Sequence, residues 1–289
     1  MKQAATATFI ASLLLLTGCA VSYLPISSTS SPNLSGNWVI ESTAGASSGT
    51  VPPAGLLLLG SLTSQGSSVS GIFRVASLSL PNTCGIPLQQ VVTVAGSIDS
   101  NRNMKLTSAA FGGSTLTMQF ALPPTPSPAG ATATAPGLNG TVAITGGSCP
   151  SPSTTAVGLQ LASLSGTYAG SVRTNPYFPL TSITSGVANL TLTQAATPQA
   201  DGQIPVSGTL GFTGGGCTSS TPLTGTVSGP LLTLASAPTA PSGTATNNMA
   251  VLINPAAGQL NVASLVYGLG PCNAGLTSIT QFTGNLTKQ

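Results

Sequence analysis

The stretch Leu34-Ser35-Gly36-Asn37-Trp38 returns much later as Leu164-Ser165-Gly166-Thr167-Tyr168. Cysteines follow the same two-fold plan: Cys84 has a counterpart in Cys217, and Cys149 has one in Cys272, each at a similar place in its copy. An internal duplication of this kind constrains the chain to two like units, with insertions and deletions confined to loops. The first module spans 34–162 and the second 163–289.

Inside both copies apolar residues alternate with period two, the signature of half-buried strands. Leu116, Met118 and Phe120 point one way while Thr115, Thr117 and Gln119 point the other. In the second copy Leu190 and Leu192 alternate with Asn189, Thr191 and Thr193, and Val206, Leu210 and Phe212 share a face with Gly208. No comparable stretch beyond the N-terminal segment carries a 3.6-residue stripe.

Runs bounded by Gly, Pro, Asn and Ser clusters place first-copy strands near 36–42, 55–64, 67–76, 88–98, 103–110, 114–122, 138–145 and 155–161. The second copy gives 166–174, 184–194, 203–213, 220–228, 230–236, 247–254, 258–268 and 277–287. The fold class is therefore all-β: two tandem modules of about eight antiparallel strands each, as small up-and-down barrels or as β-sandwiches. Barrels are favoured because closure leaves no edge, and a chain with 3% charged residues has little of the lysine protection that open edges use. The segments Pro123–Pro136 and Ala237–Thr246 read as long exposed loops.

The N-terminus is a targeting segment. Lys2 supplies a short positive region and Ala4–Leu16 an apolar one, shorter than the roughly 20 residues that span a bilayer. It ends on Leu16-Thr17-Gly18-Cys19, which resembles the lipobox of bacterial lipoproteins. That resemblance implies a signal peptide over 1–18, cleavage before Cys19, a diacylglyceryl thioether on the Cys19 thiol and an acylated (palmitate-type) amino group. Several chains on one residue exceed what stable anchoring needs, each buried CH₂ being worth about 0.8 kcal/mol. Residues 19–33 then form a lipidated cysteine and a Ser/Pro tether. Ala20 stands where family habit puts an inner-membrane retention Asp, so the expected destination is the outer membrane, facing the periplasm or the cell surface.

With Cys19 lipidated, four of the five cysteines remain, two per copy, and export favours their pairing. Of three connectivities, Cys84–Cys149 and Cys217–Cys272 are favoured because duplication makes a within-module bond repeatable. In a meander both cysteines of a copy follow odd-numbered strands, whose connections share one end. Each bond would close a long loop, worth about 3–5 kcal/mol on the chain-entropy model. Strands three and seven nevertheless sit on opposite walls of an eight-stranded barrel, and disulfide Cα atoms approach to about 5.5 Å. Either loops fold across the mouth or the module is flattened.

Charge excludes several functions. Beyond the leader only Arg74, Arg102, Lys105, Arg173 and Lys288 are basic, too few and too scattered for counterion-release binding of nucleic acid. There is no His, and the acids are Glu41, Asp99 and Asp201 alone. A glycosidase needs two carboxyls about one bond, and only Glu41 and Asp99 share a copy; serine chemistry would have only Lys105 as base. No cofactor or metal site is expected, and the protein is read as a non-enzyme. Aromatics at 4% are too few for the girdles of a membrane-embedded barrel.

The Gly36-Asn37-Trp38 strand start resembles the G-x-W signature of lipocalins, which implies an eight-stranded barrel capped by the tryptophan and an apolar ligand cavity. The second copy departs from it, with Tyr168 in place of Trp. Two functions follow as expectations. One is a tethered binding module whose polar strand faces meet a glycan, envelope protein or other envelope component, with two modules adding avidity. The other is a carrier of a small apolar ligand. The Asn175-Pro176-Tyr177-Phe178-Pro179 stretch is the one aromatic cluster among the loops.

Overall fold

The computed structural model describes residues 33–43, 55–76, 89–123, 137–147, 151–174, 185–215, 217–236, 248–254, 259–267 and 280–289. The first module contains Gly36–Thr43 (β1), Leu57–Gln65 (β2), Ser68–Val75 (β3), Val91–Ile98 (β4), Asn103–Ser108 (β5), Ser114–Ala121 (β6), Gly137–Gly146 (β7) and Ser151–Leu161 (β8). The second contains Gly166–Thr174 (β9), Ile204–Gly214 as β11 after Ser185–Gln194 (β10), Cys217–Ser228 (β12), Leu231–Ala235 (β13), Asn248–Asn254 (β14), Gln259–Tyr267 (β15) and Thr280–Lys288 (β16). Each set is an antiparallel meander closed on itself, β1 pairing with β8 and β16 with β9. Every expected strand has its counterpart, and closed barrels replace the sandwich alternative.

The alternation read from the sequence sorts inside from outside. Trp38, Phe73, Met104, Leu106, Met118 and Phe120 fill the first barrel. Tyr168, Leu190, Leu210, Phe212, Phe282 and Leu286 fill the second, with the Phe212 and Phe282 rings 5.1 Å apart. Each such side chain contributes about 1.5–3 kcal/mol on burial. Ladder irregularities at Val142/Ile144, Ala250/Val251 and Val262/Leu265 supply local bends that help the sheets curve.

The repeated Leu-Ser-Gly-x-aromatic stretch has one physical explanation in both barrels. Leu34 and Leu164 are buried at the rim, and Trp38 and Tyr168 are buried inside. Ser35 Oγ accepts the Ser64 N–H at 3.0 Å, and Ser165 Oγ accepts the Gln194 N–H at 3.0 Å, so the serine ties the next strand to the rim. The reciprocal bond runs from Leu34 N–H to Ser64 Oγ at 3.1 Å and from Leu164 N–H to Gln194 Oε1 at 3.0 Å. Between them Gly36 and Gly166 hold φ at 140° and 139°, open to glycine and rarely adopted by other residues. Trp38 adds an indole N–H to the Leu34 carbonyl at 2.7 Å.

The rim where β1 or β9 begins is called here the near rim. In the first barrel it carries the β2–β3 and β4–β5 turns; in the second, the β10–β11 loop and the β12–β13 turn. The C-terminal ends of β3, β7, β11 and β15 lie at the opposite, far rims.

Candidate functional site

Each acid has a separate setting. Glu41 is exposed towards the far end of β1, across from Leu57 and Val157. Asp99 lies at the near rim, where its Oδ1 accepts the N–H groups of Asn101 at 2.9 Å and Asn103 at 2.8 Å, closing the β4–β5 turn. The Asn103 N–H holds the Asp99 carboxyl below its ordinary value. The two carboxyls of the first module thus sit at opposite ends of the barrel. Asp201, in the β10–β11 loop, forms an ion pair with Arg74 and accepts the Gln203 N–H at 3.0 Å. Lys105 is exposed on β5 between Ser97 and Gln119. Among the described residues no three His, Cys, Asp or Glu gather as a metal site.

What the barrels do present is hydroxyl. Register places Thr193, Ser207 and Thr224 side by side across β10, β11 and β12, and Thr167, Thr191 and Thr209 across β9, β10 and β11. Neighbours in such rows stand about 5 Å apart and successive rows about 7 Å apart along a strand. Thr167 and Thr191 hydroxyls lie 3.5 Å from one another. Two shallow depressions adjoin on this wall. One, of about 530 Å³, is lined by Thr193, Gln199, Pro205, Ser207 and Thr226 with Thr224 and Gly225. The other, of about 320 Å³, shares Thr224 and Gly225 and continues over Thr233, Ala235, Ala250 and Ser264. Thr224 and Gly225 thus border both depressions. The Gln203 carboxamide oxygen accepts the Thr226 hydroxyl at 3.1 Å, orienting one wall. Neither depression contains a charged residue. In the first barrel the matching row is Thr63, Ser70 and Ala95, one hydroxyl fewer.

Cys19, Cys84, Cys149, Cys272, Tyr177 and Phe178 lie outside the described residues; Cys217 opens β12, its backbone opposite Gly214. The hydroxyl trough is the feature that motif reasoning missed. Its signal was present, since Thr191 and Thr193 were already assigned to the outward face.

No family model matches the chain, and no curated protein matches it. Among solved structures, the chain is similar to the Myxococcus xanthus hemagglutinin crystallised in complex with a3,a6-mannopentaose. The two share 15% identity over 86% of this chain and 99% of that one, with a TM-score of 0.19, a likeness too slight to carry any statement about this chain.

Proposed function

We propose that this protein is an outer-membrane-tethered, non-catalytic binding module that meets a neutral glycan on the outer wall of its second barrel. The observation that carries the reading is the uncharged hydroxyl trough across β10–β15, over a barrel whose interior is packed with Leu, Phe and Tyr. Hydroxyl and carboxamide groups are donors and acceptors matched to sugar hydroxyls, and each net bond is worth about 0.5–1.5 kcal/mol. The carrier reading requires interior room, and Trp38, Phe73, Phe120, Phe212 and Phe282 occupy the described interiors. The three acids, set apart and two of them engaged in turn or ion-pair bonds, support a role without catalysis.

The tether is Cys19, acylated, with 20–33 as spacer. Cys84–Cys149 and Cys217–Cys272 staple the modules. That β3 and β7 end at the same rim, as do β11 and β15, supports that pairing.

The test is a screen of neutral polysaccharides against Ala20–Gln289 exported behind a cleavable leader, followed by calorimetry. Thr193→Val, Thr224→Val and Thr226→Val keep shape and remove hydroxyls. Each is expected to weaken binding by up to about tenfold, the equivalent of 1.4 kcal/mol. Unchanged affinity in the triple variant would remove the trough from the reading, and a co-purified apolar passenger by native mass spectrometry would replace it with the carrier.

A further inference from the structure

The outward face of β1, β2 and β3 carries residues that a solvent-facing wall does not explain. Asn37 is 2% exposed and Ser61, its cross-strand neighbour, 1% exposed, although Trp38 and Leu62 beside them are the inward residues. Ile72 stands next in the row and Leu59 and Arg74 flank it. What covers them is the near rim of the second barrel.

Three contacts make the cover. The Asn37 carboxamide pairs with both backbone groups of Gly229 in the β12–β13 turn, donating Nδ2–H to its carbonyl at 2.8 Å and accepting its N–H at 2.9 Å. Arg74 donates Nε–H to the Asp201 carbonyl at 3.2 Å, forms an ion pair with the Asp201 carboxylate, and is braced by Gln89 at 3.2 Å. Two left-handed glycines allow the approach: a Cβ on Gly202 would lie 2.5 Å from the Ile72 carbonyl oxygen, and one on Gly229 would lie 2.5 Å from Leu59 Cδ2.

Neither half of this joint is duplicated. Register aligns Trp38, Gly60 and Phe73 with Tyr168, Leu190 and Leu210. On that alignment the acceptor residues Asn37, Leu59, Ser61, Ile72 and Arg74 become Thr167, Asn189, Thr191, Thr209 and Gly211. The first four of these are exposed. The docking end is equally singular, because the first barrel has a tight Gly66 turn where the second has the loop bearing Asp201 and Gly202.

We infer that the β1–β3 wall is a one-way docking surface whose partner is the near rim of the second module. It joins the two barrels into one rigid body and cannot accept a further copy. A head-to-wall contact is heterologous, and repeated on both modules it would propagate as a filament. Loss of the acceptor side chains from the second wall ends the series after one joint and leaves that wall open.

The test uses the whole mature chain from Ala20. In the wild type the Gly229 amide, which a free turn would leave open to solvent, is expected to exchange at least a hundredfold more slowly than the Gly66 amide. Asn37→Ala with Arg74→Ala is expected to remove that protection and enlarge the radius of gyration by X-ray scattering. Trp38 is the chain's single tryptophan, so its fluorescence follows the first barrel while far-UV circular dichroism follows both. The two denaturation curves are expected to coincide in the wild type and to separate in the double variant. Should that variant fail to fold, Asp201→Ala, outside both barrel interiors, is expected to give the same loss in smaller measure. A Gly229 amide as open as that of Gly66 in the wild type, or denaturation curves already separate there, would overturn the joint.

Discussion

Replacing Gly229 and Gly66 by alanine in separate variants isolates the packing of one barrel against the other. Both glycines sit in hairpin turns with left-handed backbones, φ 54° and 59°, so both substitutions incur the same backbone strain of about 1–2 kcal/mol. A Cβ on Gly66 meets nothing within 4 Å. A Cβ on Gly229 would lie 2.5 Å from Leu59 Cδ2, 3.2 Å from Cγ and 3.3 Å from Cβ, so turning the terminal methyl does not relieve it. Overpacking of that kind costs about 1–3 kcal/mol. Gly66→Ala is therefore expected to destabilise by about 1–2 kcal/mol and Gly229→Ala by about 2–5 kcal/mol in all. The measurement is urea unfolding of Ala20–Gln289 by circular dichroism, with slopes compared so that only midpoints are interpreted. Leu59→Ala, neutral to Gly66→Ala, should recover part of the Gly229→Ala loss in a double-mutant cycle. Equal midpoints for the two alanine variants would refute the steric argument.

Ser61 Oγ is buried without a hydrogen-bond partner, so Ser61→Ala should be neutral or stabilising by about 1 kcal/mol, read from the same urea midpoint. Asp99 has a depressed folded pKa, so its contribution is present above the ordinary carboxylate value near 3.9 and disappears as pH falls through the folded one. Asp99→Asn should flatten the acid limb of a stability profile below about pH 4. Burial raises the Tyr168 pKa, so its stabilisation is complete below about pH 10 and lost as pH rises through the folded value, which Tyr168→Phe should abolish in an alkaline dichroism titration. Intact-mass spectrometry of Ala20–Gln289 without reductant should find the chain four hydrogens light. Peptide mapping should join Cys84 to Cys149 and Cys217 to Cys272, and free thiols would contradict the staples.

The barrels were legible because their two faces obey one rule. Leu116, Met118 and Phe120 alternate with Thr and Gln, and a strand with an apolar inside and a hydroxyl outside cannot slip by one residue without inverting both. Closure followed from the scarcity of edge-protecting charge. Strand ends were less legible: β8 begins at Ser151, ahead of the expected 155, because Pro and Ser within a strand look like a turn. The joint was not legible from either copy alone. Asn37 and Ser61 occupy outward positions that a single module reads as wet, and the group that buries Asn37 lies 192 residues away. Leu59 and Ile72, apolar where the second copy has Asn189 and Thr209, were the available signal, visible only when the copies are aligned strand by strand.

That alignment also bears on why two like barrels serve one chain. Had the copies stayed identical, each wall would offer the same surface, and two equivalent sites on one tether would gain affinity through effective concentration. Instead the row Asn37, Ser61, Ile72 is spent on docking, while its counterpart Thr167, Thr191, Thr209 remains open beside the trough. The trough row itself survives in the first barrel only as Thr63, Ser70 and Ala95, with a methyl where the second has the Thr224 hydroxyl. The two modules are thus unequal at both places where a shared ligand would touch them. On the proposed reading the first barrel positions the second, and a single wall held in a fixed orientation takes the place of avidity between equivalent sites. A calorimetric stoichiometry of one short neutral glycan per chain is the expected consequence, and two equivalent sites per chain would contradict this division of labour.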